Sequence, residues 1–280
     1  MMRQPDDNGA GARSAQPPLR VVVFTGGATL EDACVELIAR IEADPALELA
    51  GVFCEARETG LAGIVRDLFR RRRALAPLLL LQRAWRRAMR ALLAPRRERA
   101  RRRTLRALAP RIHFVPDLHD PAVLARIAAL APGLGAVYGG PILRAALFEL
   151  PTEGTIGIHH GLLPRYRGKK TTFWALNQGE QRVGVAIQRI GAGLDRGDIL
   201  RDATVPVGRK PLPRLTRELE RIGVDIYVEA LRDVQRGQLR PRPQPEGGGP
   251  LFKDPRPGEI VRFWLRDLGR LLGRPRGARP

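Results

Sequence analysis

Cysteine is nearly absent from this 280-residue chain, with two copies in all. Cys34 in a predicted helix and Cys54 at the end of a predicted strand supply neither a disulfide framework nor a zinc ligand set. Both read as small core hydrophobes of a cytoplasmic protein kept reduced, and no metal site is expected. Long apolar runs are missing too. Residues 74–81 are interrupted by Pro77 and are too short to cross a bilayer. Residues 1–18, rich in Gly, Pro, Asp and Gln, lack the apolar core of a signal peptide and read as a disordered leader. Acidic residues are outnumbered, 29 against 49 Lys and Arg, for a formal charge of +20. Arginine crowded at Arg70 to Arg73 and Arg96 to Arg106 would attract phosphate. A bias toward Arg, Ala, Pro and Gly along the whole chain accounts for the charge equally well.

The order of elements is legible from hydrophobic period. Residues 19–24 are an apolar, β-branched run, followed by Thr25-Gly26-Gly27-Ala28-Thr29 and a helical pattern through Leu30, Ala33, Leu37 and Ile41. This is the opening β-turn-α of a doubly wound sheet, and residues 47–54 supply the next strand. A glycine turn before a helix can offer N–H groups to a phosphate, although a tight turn needs glycine in any case. Residues 61–109 form an arginine-rich helical insertion broken at Pro77 and Pro95. There Trp85, Met89 and Leu92 share one apolar face beside Arg83, Arg86, Arg87 and Arg90. Two readings stand: peripheral contact with an anionic membrane or nucleic acid, or a lid packed on its own domain with its arginines in water. Residues 112–115, 122–130 and 135–138 restore the β-α-β rhythm, and a strand at 203–207 precedes a helix at 215–231 with Ile222, Ile226 and Val228 inward. The division expected is a leader at 1–18, an α/β domain at 19–236, and a Pro/Gly/Arg-rich tail at 237–280. The tail carries one short helix through Ile260, Phe263, Leu265, Leu268 and Leu272.

Two strand ends carry the chemistry. One predicted strand closes on Ile158-His159-His160; a second, residues 183–190, leads to Gly193-Leu194-Asp195-Arg196-Gly197-Asp198. A histidine and a carboxylate just past two strand ends converge on one crevice at the carboxyl edge of a parallel sheet. Either residue alone reads as an ordinary loop histidine or turn-former. Between them runs Gly161-Leu162-Leu163-Pro164-Arg165-Tyr166-Arg167-Gly168, then Lys169-Lys170 and an amphipathic helix containing Trp174.

From His159 to Leu200 these segments resemble the folate-dependent formyltransferases. That family's pattern is Asn-x-His, Leu-Leu-Pro-x-Tyr/Trp-Arg-Gly, a helix, a strand ending Gly-Val-x-Ile, and Gly-Leu-Asp-x-Gly-Asp-Ile-Leu, with the same 36 positions from His159 to Asp195. A multi-part match at fixed spacing is far more specific than any single motif. The resemblance implies a Rossmann-like, doubly wound, mostly parallel sheet, and transfer of a formyl group from 10-formyltetrahydrofolate to an amine of a small acceptor. It implies His159 and Asp195 as the proton-handling pair. A folate pocket follows from Gly139, Gly140, Pro141, Ile142 and Leu143 with Ile190, Gly193 and Leu194. Gly26, Gly27, Ala28 and Thr29, with Lys169 and Lys170, would meet an anionic acceptor. Where the family carries its oxyanion-binding asparagine this chain has Gly157, and losing one such donor costs on the order of 10²–10³ in rate. His160 is the residue at hand to supply part of that hydrogen bonding. The alternative is a ligand-binding module of the same fold whose chemistry Gly157 has removed. Arg167 is expected to brace its loop, and Trp174 to pack its helix on the sheet. Members that act on tRNA carry a β-rich domain after this one, and with residues 251–280 in its place a tRNA acceptor is the weaker expectation. A phosphorylated glycinamide, an amino sugar on a nucleotide and a peptide-like amine stay open, as does the oligomeric state.

Overall fold

A computed structural model describes residues 17–27, 29–56, 85 and 95–272. Seven strands form the main sheet, and their burial explains why the sequence reads as it does. In the first, β1 (Leu19–Gly26), Val21 to Phe24 have no exposed surface, because helices cover both faces and each face must then be apolar. Chain order continues with α1 (Asp32–Ala43), β2 (Leu47–Glu55), α2 (Pro95–Leu108), β3 (Ile112–Val115), α3 (Pro121–Ala129), β4 (Leu134–Val137), α4 (Ala145–Phe148) and β5 (Thr155–His159). Then come β6 (Arg167–Gly168), α5 (Thr171–Gln178), β7 (Arg182–Arg189), β8 (Ile199–Pro206), α6 (Leu212–Gln235), β9 (Leu251–Phe252) and α7 (Pro257–Leu271).

Strand order in the sheet is β3-β2-β1-β4-β5-β7-β8. Val21 and Val23 of β1 pack with Leu37 and Ile41 of α1 and with Tyr227 and Leu231 of α6 on one face. Val22 and Phe24 pack with Ile127 of α3 and Leu147 of α4 on the other. The long helix α6 presses Gly223, Val224 and Tyr227 against the sheet; Val228 is buried with them, whereas Ile222 and Ile226 are half-buried. The Tyr227 hydroxyl donates to Ile156 O at 2.9 Å, tying α6 to β5.

The sheet is mostly parallel, as expected, but the strand ends that precede His160 and Asp195 do not lie at one carboxyl edge. Strands β3, β2, β1, β4 and β5 are mutually parallel, but β7 runs antiparallel to β5, with His159 opposite Ala186 and Ile156 opposite Arg189. The eight-residue α5 extends only about 12 Å, and the chain between β5 and β7 stays at the edge where β5 ends and re-enters the sheet from there. The finish of β7 therefore lies beside the start of β5, and residues 190–198 must fold back to reach His159.

Residues 57–84 and 86–94 of the arginine-rich insertion, with Met89 and Leu92, lie outside the described residues, as do residues 1–16 of the leader. The described part, α2, docks on α1: Leu108 is 5% exposed in the main core, and Arg101 donates to Asp32 Oδ1 at 2.9 Å and to Leu30 O at 2.8 Å. The C-terminal segment folds against the domain, with β9 pairing parallel to β6 and α7 anchored by Phe263 at 2% exposure. Trp174 does not face the sheet. Its indole stacks on Phe252 with centroids 5.4 Å apart and donates to Lys253 O at 2.9 Å, fastening α5 to the C-terminal segment. Among the described residues no helix is long and apolar enough to cross a membrane.

Candidate active site

His159 is the last residue of β5 and is 7% exposed. Its Nε2 lies 2.7 Å from Tyr166 O, and a carbonyl only accepts, so Nε2 carries a hydrogen. The other nitrogen, Nδ1, sits 3.3 Å from Asp195 Oδ1. A bare lone pair there would face a carboxylate oxygen, so the contact is favourable with a proton held between Nδ1 and Oδ1. The Tyr166 carbonyl is fixed in turn, since the phenol bonds Gln178 and Glu180 at 2.8 and 2.9 Å and the ring stacks on Phe252.

Asp195 adopts φ +52°, a left-handed conformation that Asp tolerates better than most side chains. Three bonds hold it there: Gly168 N–H to Oδ2 at 2.8 Å, Gln188 Nε2 to Oδ1 at 2.9 Å, and Gln244 Nε2 to the Asp195 carbonyl at 3.2 Å. Arg167 clamps the preceding residue, with Nε and Nη2 donating to Leu194 O at 3.2 and 2.8 Å, and Nη1 reaching Gly249 O at 3.1 Å. The expected bracing role of Arg167 is thus visible as a tie between both site loops and the C-terminal segment.

An open cleft of about 250 Å³ lies beside the pair. Gly139, Gly140, Pro141, Ile142 and Leu143 line one wall, and Ile190, Gly193 and Leu194 line another, with Asp195, Gln188 and Gly157 at the base. All eight residues expected to form a folate pocket are thereby brought to one cavity. Ile142, 75% exposed, leaves an apolar rim at the mouth. Asp195 reaches the cavity directly, whereas His159 stands behind it and is not in the lining.

Other expected site residues are placed elsewhere. His160 is not in the cleft lining: its ring meets Tyr138 edge-on at 6.3 Å, and its Nε2 is buried without a partner. Burial, with a smaller contribution from His159, lowers its pKa to about 4, so it is neutral, and lying outside the lining it does not reach the cleft. The Gly26 and Gly27 N–H groups already bond Gly139 O and Glu55 O at 2.9 and 3.0 Å. Carboxylates surround that turn as well. Glu31 Oε2 lies 3.9 Å from where a Cβ on Gly139 would sit, and the Glu220 carboxyl is raised by burial and then by Glu31 and Asp32. The turn is therefore ill suited to phosphate. Thr29 is exposed beside it and Ala28 lies outside the described residues. Lys169 and Lys170 are exposed and absent from the cleft lining, the Lys169 ammonium meeting Asp254 at 3.3 Å.

Two residues that sequence reasoning passed over belong to the site. Gln188 is 3% exposed, lies opposite Gly157 in the β5–β7 register and lines the cleft. Gln244 reaches in from the C-terminal segment, bonding Gly197 O at 2.7 Å and Gln188 Oε1 at 3.4 Å. A lone amide directly after the apolar run Val183 to Ile187 was a usable signal for the first. Nothing around Gln244, in a proline-rich stretch, marks it out. Among the described residues no group of three or more potential metal ligands occurs.

Comparison with known proteins follows this geometry. The formyl transferase family model matches residues 94–231. Methionyl-tRNA formyltransferase from Roseiflexus sp. (strain RS-1) is 43% identical over 131 residues, covering 45% of this chain and 40% of that protein. The chain thus spans about two fifths of the length of the curated relatives it matches. Glycinamide ribonucleotide transformylase 1 from Symbiobacterium toebii superposes with a TM-score of 0.56 at 18% identity, covering 81% of this chain and 95% of that one. WlaRD, a sugar 3N-formyl transferase solved in the presence of dTDP and 5-N-formyl-THF, gives 0.53 at 13% identity over 84% and 70%. At those identities the likeness establishes a shared α/β fold.

Proposed function

We propose, from the premise that residues 94–231 of this chain belong to the formyl transferase family, that the protein moves a formyl group from 10-formyltetrahydrofolate to the amine of a small acceptor. The observation that carries the reading is the convergence of an imidazole–carboxylate pair and a glycine-walled, apolar-rimmed cleft at one place. The cleft suits a flat heterocycle: Gly139, Gly140 and Gly193 let it approach the main chain, while Leu143, Ile190 and Leu194 provide apolar contact. Bound there, the folate supplies an activated formyl group.

The chain's own part is proton handling and charge stabilisation. As the acceptor nitrogen bonds to the formyl carbon it must lose a proton, and the nitrogen that leaves must gain one. Asp195 meets the cleft and His159 holds a proton against it, so the pair can give one proton to the departing nitrogen and take the one released by the amine. Gln188 supplies the amide that Gly157 lacks. One N–H of its amide is engaged by Asp195, and the second is available to negative charge forming on the carbonyl oxygen. The acceptor recognised at the β1 turn is an amine without a phosphate at that point, because the turn's N–H groups are bonded internally and its neighbours are carboxylates.

The test is calorimetric titration with 5-formyltetrahydrofolate, then formyl transfer across neutral, cationic and phosphorylated amines. Wild type should bind the folate, and His159→Ala should keep folate binding while transfer falls by about 10²–10⁴-fold. Absence of folate binding by the folded wild-type protein would refute the proposal at its first step. Binding without transfer to any amine would favour the ligand-binding module.

A further inference from the structure

Helix α7 (Pro257–Leu271) is held to the domain by a narrow stripe, with Phe263 and Asp267 each 2% exposed and Arg270 Nε donating to Asp267 Oδ1 at 2.7 Å. The opposite face is apolar and bare. Ile260, Val261, Trp264, Leu265, Leu268 and Leu272 are 37, 59, 46, 70, 55 and 66% exposed. At 3.6 residues per turn they span an arc of about 140° with no charged side chain inside it. Along the axis the arc extends about 18 Å. Isolated surface leucines are ordinary, but a contiguous strip of this kind marks a surface that something covers.

Charge decides what the occupant is. Arg262 borders the arc, Arg266 next to it on the helix donates to Asn177 Oδ1 of α5, and Arg274, Arg276 and Arg279 follow the helix in the sequence. A second copy would bring two chains of net charge +20 together. Residues 57–94 of the same chain hold ten arginines and two acidic residues, so they too would be repelled. An anionic surface is attracted on every count. An exposed apolar strip with a tryptophan within it and a guanidinium group along its border matches a helix lying in the headgroup region of a bilayer.

We propose that α7 is an interfacial helix, docking the protein on an anionic phospholipid surface with Trp264, Leu265 and Leu268 inserted among the acyl chains and Arg262 on the headgroup phosphates. The attachment is independent of the formyl-transfer reading, and its test needs no turnover. Full-length protein is sedimented with vesicles of phosphatidylcholine alone and of phosphatidylcholine mixed equally with phosphatidylglycerol, at low and high salt. Wild type should partition onto the mixed vesicles, and partitioning should fall by about tenfold or more on pure phosphatidylcholine, in high salt, or in Leu265→Glu/Leu268→Glu. Both leucines are exposed, so the double variant should keep the circular dichroism and melting temperature of wild type. Failure of wild type to bind anionic vesicles at low salt overturns the proposal. So does binding that the double variant leaves unchanged, or a wild-type dimer in light scattering that the double variant dissolves, which would assign the strip to a second copy.

Discussion

The two halves of the sheet end in glycine-rich turns of similar composition and use them oppositely. Between β1 and β4 the order of strands reverses, the place where open α/β sheets usually bind ligands, yet the Gly26 and Gly27 N–H groups there bond Gly139 O and Glu55 O. Between β5 and β7 the Gly168 N–H is directed to Asp195 Oδ2, and the Gln188 amide to Oδ1. The difference comes from strand direction. Parallel neighbours end side by side, so their turns satisfy one another. The reversed β7 ends far from His159, and the nine residues that bring the chain back must find partners along the way. Strand direction thus decides which acceptor a glycine turn's N–H meets: a neighbouring carbonyl after β1, the Asp195 carboxylate after β5.

The sharpest way to break this comparison is at Gln188. If its amide stands in for the asparagine missing at Gly157, Gln188→Leu should lower kcat by about 10²–10³-fold, with folate affinity nearly unchanged, since no apolar wall of the cleft is lost. Restoring the family's amide by Gly157→Asn is obstructed in this chain, because a Cβ at 157 would stand 2.7 Å from Ile190 Cδ1. That side chain must turn away before Asn fits. A kcat for Gln188→Leu equal to wild type would return the oxyanion role to the backbone.

A second difference between the halves is their response to acid. His160 lies beside the His159–Asp195 pair with its pKa lowered by burial to about 4 from 6.5, so above pH 6.5 it is neutral whether the chain is folded or not. Between those values the unfolded chain binds a proton that the folded chain refuses, and stability falls as pH falls. The loss should approach on the order of 3 kcal/mol by about pH 4. His113, on β3, is lowered by burial and Arg126 but is only half-buried, so its contribution has the same sign and is smaller. Denaturant titrations from pH 7 to pH 4 should therefore show a flatter acid limb for His160→Leu than for wild type, and little change for His113→Leu. Parallel limbs for His160→Leu and wild type would show that His160 gains its proton without unfolding cost.

Much of the parallel half was legible because local pattern and global position agree there. β1, β2, β3 and β4 are short apolar runs set off by turn residues, α1 and α3 carry the helical period, and α3 has a side-chain cap, Asp120 accepting from Ala122 N–H. The direction of β7 was not legible, because an apolar strand reads the same both ways and its sense is set by a connection that never recrosses the sheet. The pairing of His159 with Asp195 was readable from motif spacing. Their support was not: Tyr166 acts through its carbonyl, Gly249 through the absence of a Cβ that would fall 2.2 Å from Pro164 O, and Gln244 from beyond α6. Backbone atoms and distant single residues leave no periodic trace.

The smallest expected effect sharpens the comparison from outside the cleft. Lys169 and Lys170 follow the site loop in sequence and read there as contacts for an anionic acceptor, but Lys169 is 72% exposed at its side chain and pairs with Asp254, itself 62% exposed. An ion pair in that much water contributes about 0.5 kcal/mol or less. Lys169→Ala should therefore shift the melting temperature hardly at all and change kcat/KM by less than about twofold for every amine in the panel. What the pair does is limit where the C-terminal segment sits: Lys169 N–H bonds Phe252 O at 2.9 Å, and that backbone contact survives the substitution. A tenfold rise in KM confined to anionic acceptors would show instead that the cleft extends over α5 when occupied, and that the lysines are part of it.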